Sequence, residues 1–254
     1  MKAATKALGI EGKGLTMNYD LTSWKFNRQF YSKFMMTPRF NVAAIKWTNE
    51  LSEEMMRYWM DLGKKKELKQ QKNVSEDALV IIDMAAWMRR FTNDLISVLT
   101  TGKRTHTIPF HYHKLKNEKI TEEMLESEKF VESLNNLVTR SLVLFVPEIL
   151  RGLPIIKDKM KNFTDNRDYL FGKLNEKIRE RRKEIEETIN KNNHHELRHD
   201  MLTSFITANT PYDIINNNNS SRNMDPKLLR AMTDDEIRAN MLDIFLGGTD
   251  TVKY

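Results

Sequence analysis

Residues 233–251 read TDDEIRANMLDIFLGGTDT. Thr233 and Glu236 form a T-x-x-E capping box, a firm start signal for a helix. From there apolar and small residues run at helical intervals to Tyr254, and nothing at the end resembles a stop. Gly247 and Gly248 each oppose such a helix by about 1 kcal/mol relative to alanine, so some local benefit must offset them. Residues three and four apart share a helix face, so counting back from Thr251 reaches Gly248, Gly247, Ile244 and Asn240. The glycines then form a bare patch one turn before a hydroxyl, flanked by Asp250. Two readings stand. Small residues let two helix backbones approach closely, or they leave a floor for a flat cofactor or small ligand. An acid beside an alcohol next to such a floor suits proton delivery through water, and a buried acid is expensive without a partner or a task. A phosphate-binding loop does not fit, because no strand precedes the glycines and the spacing matches neither G-x-G-x-x-G nor a Walker A loop.

The rest of the chain surrounds this helix with more of the same class. Of 254 residues, 40% are hydrophobic and 30% charged, with only 9 glycines and 6 prolines. That balance is long enough for a real core and leans to an all-α fold. LTSWKFNRQFYSKFMM (21–36) reads as a helix with Asp20 as N-cap and Thr37-Pro38 as its stop. A second spans 39–66, with Val42, Ile45, Leu51, Met55, Trp59 and Leu62 as its apolar stripe. A third, 75–102, is apolar almost all round and closes on Gly102. Residues 103–120 read as a loop, 121–145 as a helix halted by Pro147, 146–160 as an apolar connector, and 163–190 as a long helix. A short helix at 196–209 and a polar loop at 210–230 complete the series.

Net charge is +6, from 41 basic against 35 acidic residues, and the charges are mostly interleaved along solvated helix faces. No nucleic-acid motif accompanies that excess, so no nucleic-acid partner is expected. The chain has no cysteine, hence no disulfide framework and no thiolate metal site. No apolar run reaches membrane-span length. His111, His113, His194 and His195 offer a minor metal-binding reading, without carboxylates at matching spacing.

GGTDT (247–251), with its lead-in MTDDEIRANMLDIFL, resembles the oxygen-activating helix of the cytochrome P450 superfamily, whose pattern is A/G-G-x-D/E-T. Fungal and other eukaryotic members of that superfamily carry much the same run. GLTMNYDLTSWKFNRQF (14–30) is similar to that family's W-x-x-x-R helix, with Trp24 and Arg28 at i and i+4. WMRRFTNDLISVLTTG (87–102), carrying Thr92 and Asp94, resembles a third family helix, and Pro147 and Pro154 fall in its mobile substrate-access connector.

The resemblance implies a mainly-α fold, of which residues 1–254 form an incomplete domain, roughly helices C to I, with no complete second domain. It implies a haem-dependent monooxygenase that takes electrons from NADPH through a reductase and hydroxylates a hydrophobic small molecule. Trp24 and Arg28 would bind the haem propionates, since both are donor-only side chains. Gly247 and Gly248 would lie against the cofactor. Thr251 would hydrogen-bond dioxygen or its water, Asp250 would relay protons, and Asp243 and Leu246 would line the substrate pocket. Full-length members sit on the cytosolic side of the endoplasmic reticulum membrane through an anchor that this chain lacks. It departs from the pattern decisively: no E-x-x-R is placed as the family requires, the F-x-x-G-x-x-x-C-x-G loop is absent and the chain has no cysteine, so no axial thiolate is available and the chain alone is expected to be inactive. A non-catalytic helical interaction module, or a truncated or degenerate gene product, is the alternative expectation.

Overall fold

The computed structural model describes residues 5–6, 8–16, 18–69, 82–150, 152–191, 193, 196–215 and 229–250, with the side chains at 64–69, 148 and 250 outside the description. All regular structure among these residues is helical. The helices are α1 (Leu21–Met35), α2 (Pro38–Lys69), α3 (Met84–Thr101), α4 (Thr107–Lys116), α5 (Glu122–Arg140), α6 (Pro154–Asn190), α7 (Met201–Thr207) and α8 (Asp234–Asp250). Two short 3-10 turns, Ser141–Phe145 and Glu148–Leu150, join α5 to α6.

Most ends follow from local side chains. Asp20 caps α1 by accepting from the Thr22 and Ser23 amides, Asp83 caps α3, Thr121 caps α5 and Asp200 caps α7. Pro38 opens α2 where its missing N–H is harmless. Gly102 ends α3 in the left-handed conformation at φ +64°, as a C-cap requires.

Two hydrophobic clusters hold the helices together. The larger joins α1, α5, α6, α7 and α8 through Phe26, Phe130, Leu174, Phe205 and Phe245 among others. The smaller joins α2, α3 and α4 around Leu51, Met55, Trp87, Phe91 and Ile108. Helix α3 spans both, because one side packs along α8 and another meets α2 and α4. A buried arginine ties the middle: Arg181 of α6 donates to Asp200 Oδ2 at 2.6 Å, Thr203 Oγ1 at 2.9 Å and the Thr101 carbonyl at 2.6 Å. One guanidinium thus ties α6, α7 and the end of α3 together, its charge paired and hydrogen-bonded as a buried charge must be.

Four expectations need correction. Residues 107–116, read as loop, are helix α4, and the reason lies outside its own sequence. His106 precedes it in the left-handed conformation without a side-chain cap. The missing cap comes from Asp94 of α3, whose Oδ1 accepts from the Thr107 amide at 2.8 Å and whose Oδ2 accepts from the Ile108 amide at 3.3 Å. Helix α6 begins at Pro154 rather than 163, because a proline in the first turn starts a helix as readily as it ends one. Val42 and Ile45 are 66% and 63% exposed, so the buried stripe of α2 starts only at Leu51. The short helix at 196–209 is confined to 201–207, and residues 211–215 are non-helical. The 75–81 part of the third helix and residues 216–228 of the polar loop lie outside the described residues.

Candidate functional site

Helix α8 starts as its first residues dictate. The Thr233 amide and hydroxyl both donate to Glu236 Oε2 at 2.9 Å, and the Glu236 amide donates back to Thr233 Oγ1 at 3.3 Å. Arg230 completes the cap with a 2.5 Å ion pair to Glu236. Burial pushes this carboxyl upward, but the bonds from Arg230 and Thr233 outweigh it and hold Glu236 below the usual carboxylate range.

One turn on, α8 is stitched to the segment that carries Trp24 and Arg28. Asn240 Nδ2 donates to Asn27 Oδ1 at 2.5 Å, and Asn27 Nδ2 donates to the Ser23 carbonyl at 2.8 Å. Both asparagines are fully buried. A second stitch lies at Asp243, whose Oδ2 accepts from the Leu15 amide at 2.6 Å and the Thr16 amide at 3.1 Å. Gly14 permits this approach: its φ is +74°, and a Cβ there would stand 2.5 Å from the same oxygen. Burial raises the Asp243 carboxyl above its ordinary value, with the bonds from Leu15 and Thr16 pulling the other way. Asp243 therefore serves as a backbone clamp through Oδ2. Leu246 is also a packing residue, half-buried against the larger core.

These stitches fix which faces meet. Trp24, Asn27 and Arg28 occupy one arc of α1, while Asn240, Asp243 and Gly247 follow one stripe of α8. Gly247 lies two turns beyond Asn240, about 10 Å along the axis. Trp24 is half-buried and Arg28 exposed, with the guanidinium carbon 5.8 Å from the indole centroid. Among the described residues, neither the Arg28 guanidinium nor the Trp24 indole N–H has a hydrogen-bonding partner.

The two glycines differ, and the single bare patch expected of them resolves into two positions. A Cβ at Gly247 would meet nothing within 4 Å, so that position is open ground. A Cβ at Gly248 would come 2.6 Å from Ile96 Cδ1 of α3 and closer still to Cγ1. Gly248 is thus where α3 presses on α8, as the close-packing reading expects, whereas Gly247 makes no such contact. Asp250 is the last described residue of α8, its side chain outside the description, and Thr251 lies outside the described residues.

A scan against family models matches residues 2–253 to the one described as Cytochrome P450. The chain belongs to the cytochrome P450 family. The mainly-α architecture agrees with that fold, and the family's members are haem-dependent monooxygenases. No curated protein matches the chain.

The residues present fit part of such a cofactor. Unpaired donors at Trp24 and Arg28 suit its carboxylates, and the open backbone at Gly247 suits its flat face. The axial thiolate that P450 iron requires is not among the 254 residues, which include no cysteine. Histidine does not take its place as part of a metal cluster: among the described residues no three His, Asp or Glu side chains are grouped to hold an ion. His111 is packed edge-on against Trp87 at 4.8 Å, His113 bonds Glu118 at 2.7 Å, and His194 and His195 lie outside the described residues.

One feature escaped the sequence reading. A hollow of about 450 Å³ opens between the end of α5 and the start of α6, lined by Leu142, Val143, Val146 and Ile156 with Arg140 and Lys159 at its polar side. Beside it Leu142, Phe145, Ile149 and Ile155 are exposed. The signal was the apolar run LVLFVPEILRGLPII (142–156), whose lack of a single period concealed that it wraps a cavity. No helix among the described residues is long and apolar enough to cross a membrane.

Proposed function

We propose that this chain supplies the propionate-binding and oxygen-facing helices of a P450 monooxygenase acting on an apolar small molecule. Electrons would come from NADPH through a reductase, at the cytosolic side of the endoplasmic reticulum membrane. The reading is carried by one observation: the Asn27–Asn240 bond ties the Trp24–Arg28 helix to the helix of Gly247, with the Asp243 clamp holding residues 15 and 16 ahead of it. Arg28 and Trp24 then donate to the cofactor's carboxylates, with guanidinium–carboxylate geometry setting orientation. Gly247 leaves its face uncovered. Asp250 passes protons inward from solvent, and the Thr251 hydroxyl holds the water that carries them. When bound, the haem supplies the oxygen-activating redox chemistry. The hollow beside Pro147 and Pro154 serves as the way in for substrate.

Haemin titration tests this, followed by the Soret band and by tryptophan quenching. Each of Trp24→Ala and Arg28→Ala should weaken binding, Arg28→Ala by about tenfold, the low end of what a charge-assisted bond contributes. Unchanged affinity in both variants would refute the reading. Under carbon monoxide and reductant, the chain should give no thiolate-type Soret band, and finding one would overturn the expectation that it is inactive by itself.

A further inference from the structure

Away from that site, a depression of about 210 Å³ lies between α5 and α6, lined by Phe130 and Tyr169, the amines of Lys173 and Lys177, and the carboxylates of Glu126, Glu176 and Glu180. Its charges are nearly all spoken for. Lys173 pairs with Glu126 at 3.0 Å and with Glu176 at 3.2 Å. Lys103, from the turn after α3, pairs with Glu180 at 3.5 Å and with Glu184 at 3.2 Å. Tyr169 donates to Glu126 at 2.8 Å. Lys177 is left over. It is half-buried, and among the described residues its Nζ has neither a hydrogen bond nor an ion pair, although Glu180 lies one turn away on the same helix.

We propose that Lys177 is a site of covalent acylation, a free amine held in its own pocket for small acyl phosphates. In the reaction the nitrogen lone pair forms the new N–C bond at the acyl carbon. The bond from that carbon to the phosphate oxygen breaks, its electron pair leaves with phosphate, and the nitrogen sheds its proton to solvent. Only an uncharged amine can do this, and the surroundings favour that form. Burial lowers the pKa of the Lys177 ammonium, the nearby Lys103 and Lys173 cations push it the same way, and Glu180 and Glu176 oppose them. Lysines in such settings become nucleophiles.

The test uses the full chain and acetyl phosphate at pH 7.5, with acetylation at each lysine followed over time by peptide mass spectrometry. Lys183, on the same helix with its side chain 80% exposed, is the internal reference. A lowered pKa leaves more of the amine as free base, an advantage only partly offset by its weaker intrinsic nucleophilicity. Lys177 should therefore acetylate faster than Lys183 in the native chain. The preference should vanish in concentrated guanidinium chloride, and Glu180→Gln should increase it. A native rate at or below that of Lys183, or a preference that survives denaturation, overturns the proposal.

Discussion

Substituting alanine at the two adjacent glycines of α8 should have opposite effects, and the structure sets the size of the difference. At Gly247 the new methyl meets nothing within 4 Å, so only the helix preference acts, and Gly247→Ala should stabilise the chain by about 0.5–1 kcal/mol. At Gly248 the same gain is available, but the methyl would stand 2.6 Å from Ile96 Cδ1, where carbon atoms prefer 3.5–4.0 Å. An overlap of about 1 Å must be relieved by moving α3 away from α8, the pair with the most extensive helix contact in the molecule. Overpacking of this kind costs about 1–3 kcal/mol, which outweighs the helix gain. The two variants should thus differ by about 1–3 kcal/mol, with Gly248→Ala the less stable. Urea unfolding followed by helical circular dichroism measures both, and Ile96→Ala, by removing the clashing atoms, should shrink the gap. Equal stabilities for the two variants would refute the claim that one glycine is a packing contact and the other open ground. A further consequence concerns haemin: Gly247→Ala should bind it more weakly despite being the more stable protein.

Two more outcomes follow from single residues. Asp243→Ala strands the Leu15 and Thr16 amides, at a cost of about 1–3 kcal/mol in urea unfolding, whereas Asp243→Asn keeps an acceptor and should lose less. His111 is held down to about 4, first by burial and then by the Arg90 and Lys114 cations, so the folded chain binds fewer protons there than the unfolded chain. Its contribution is whole above pH 6.5 and is lost as pH falls from 6.5 toward 4. The stability of His111→Phe should lack that component of the slope, and a difference between the two proteins that stays constant over this range would show that His111 titrates freely when folded.

What could be read in the sequence was what neighbouring residues decide among themselves. Asp20, Gly102 and the Thr233–Glu236 box act within a turn of their own positions, and all three ends lie where the local pattern puts them. The long apolar stripe of α6, with Leu174, Ile178 and Ile185 buried, was equally plain. What could not be read depends on distant partners. Nothing in DIFLGG tells that Ile96 sits opposite one glycine and not the other, and nothing around Asp243 tells that the amides of residues 15 and 16 reach it from more than two hundred residues away. The exposed Val42 and Ile45 mislead for the same reason: periodicity marks a stripe, but only the packing of neighbours decides how far along a helix that stripe is covered.

The borrowed cap of α4 bears on the order in which the chain takes shape. A ten-residue helix is too short to persist alone in water, and this one has no residue of its own to begin it. Its first turn waits on a carboxylate thirteen positions earlier, so α3 must be wound before α4 can be. A ribosome-bound chain that had emerged only through residue 116 would already hold both parts of this nucleus, whereas replacing Asp94 would leave the small aromatic cluster around Trp87 to assemble last.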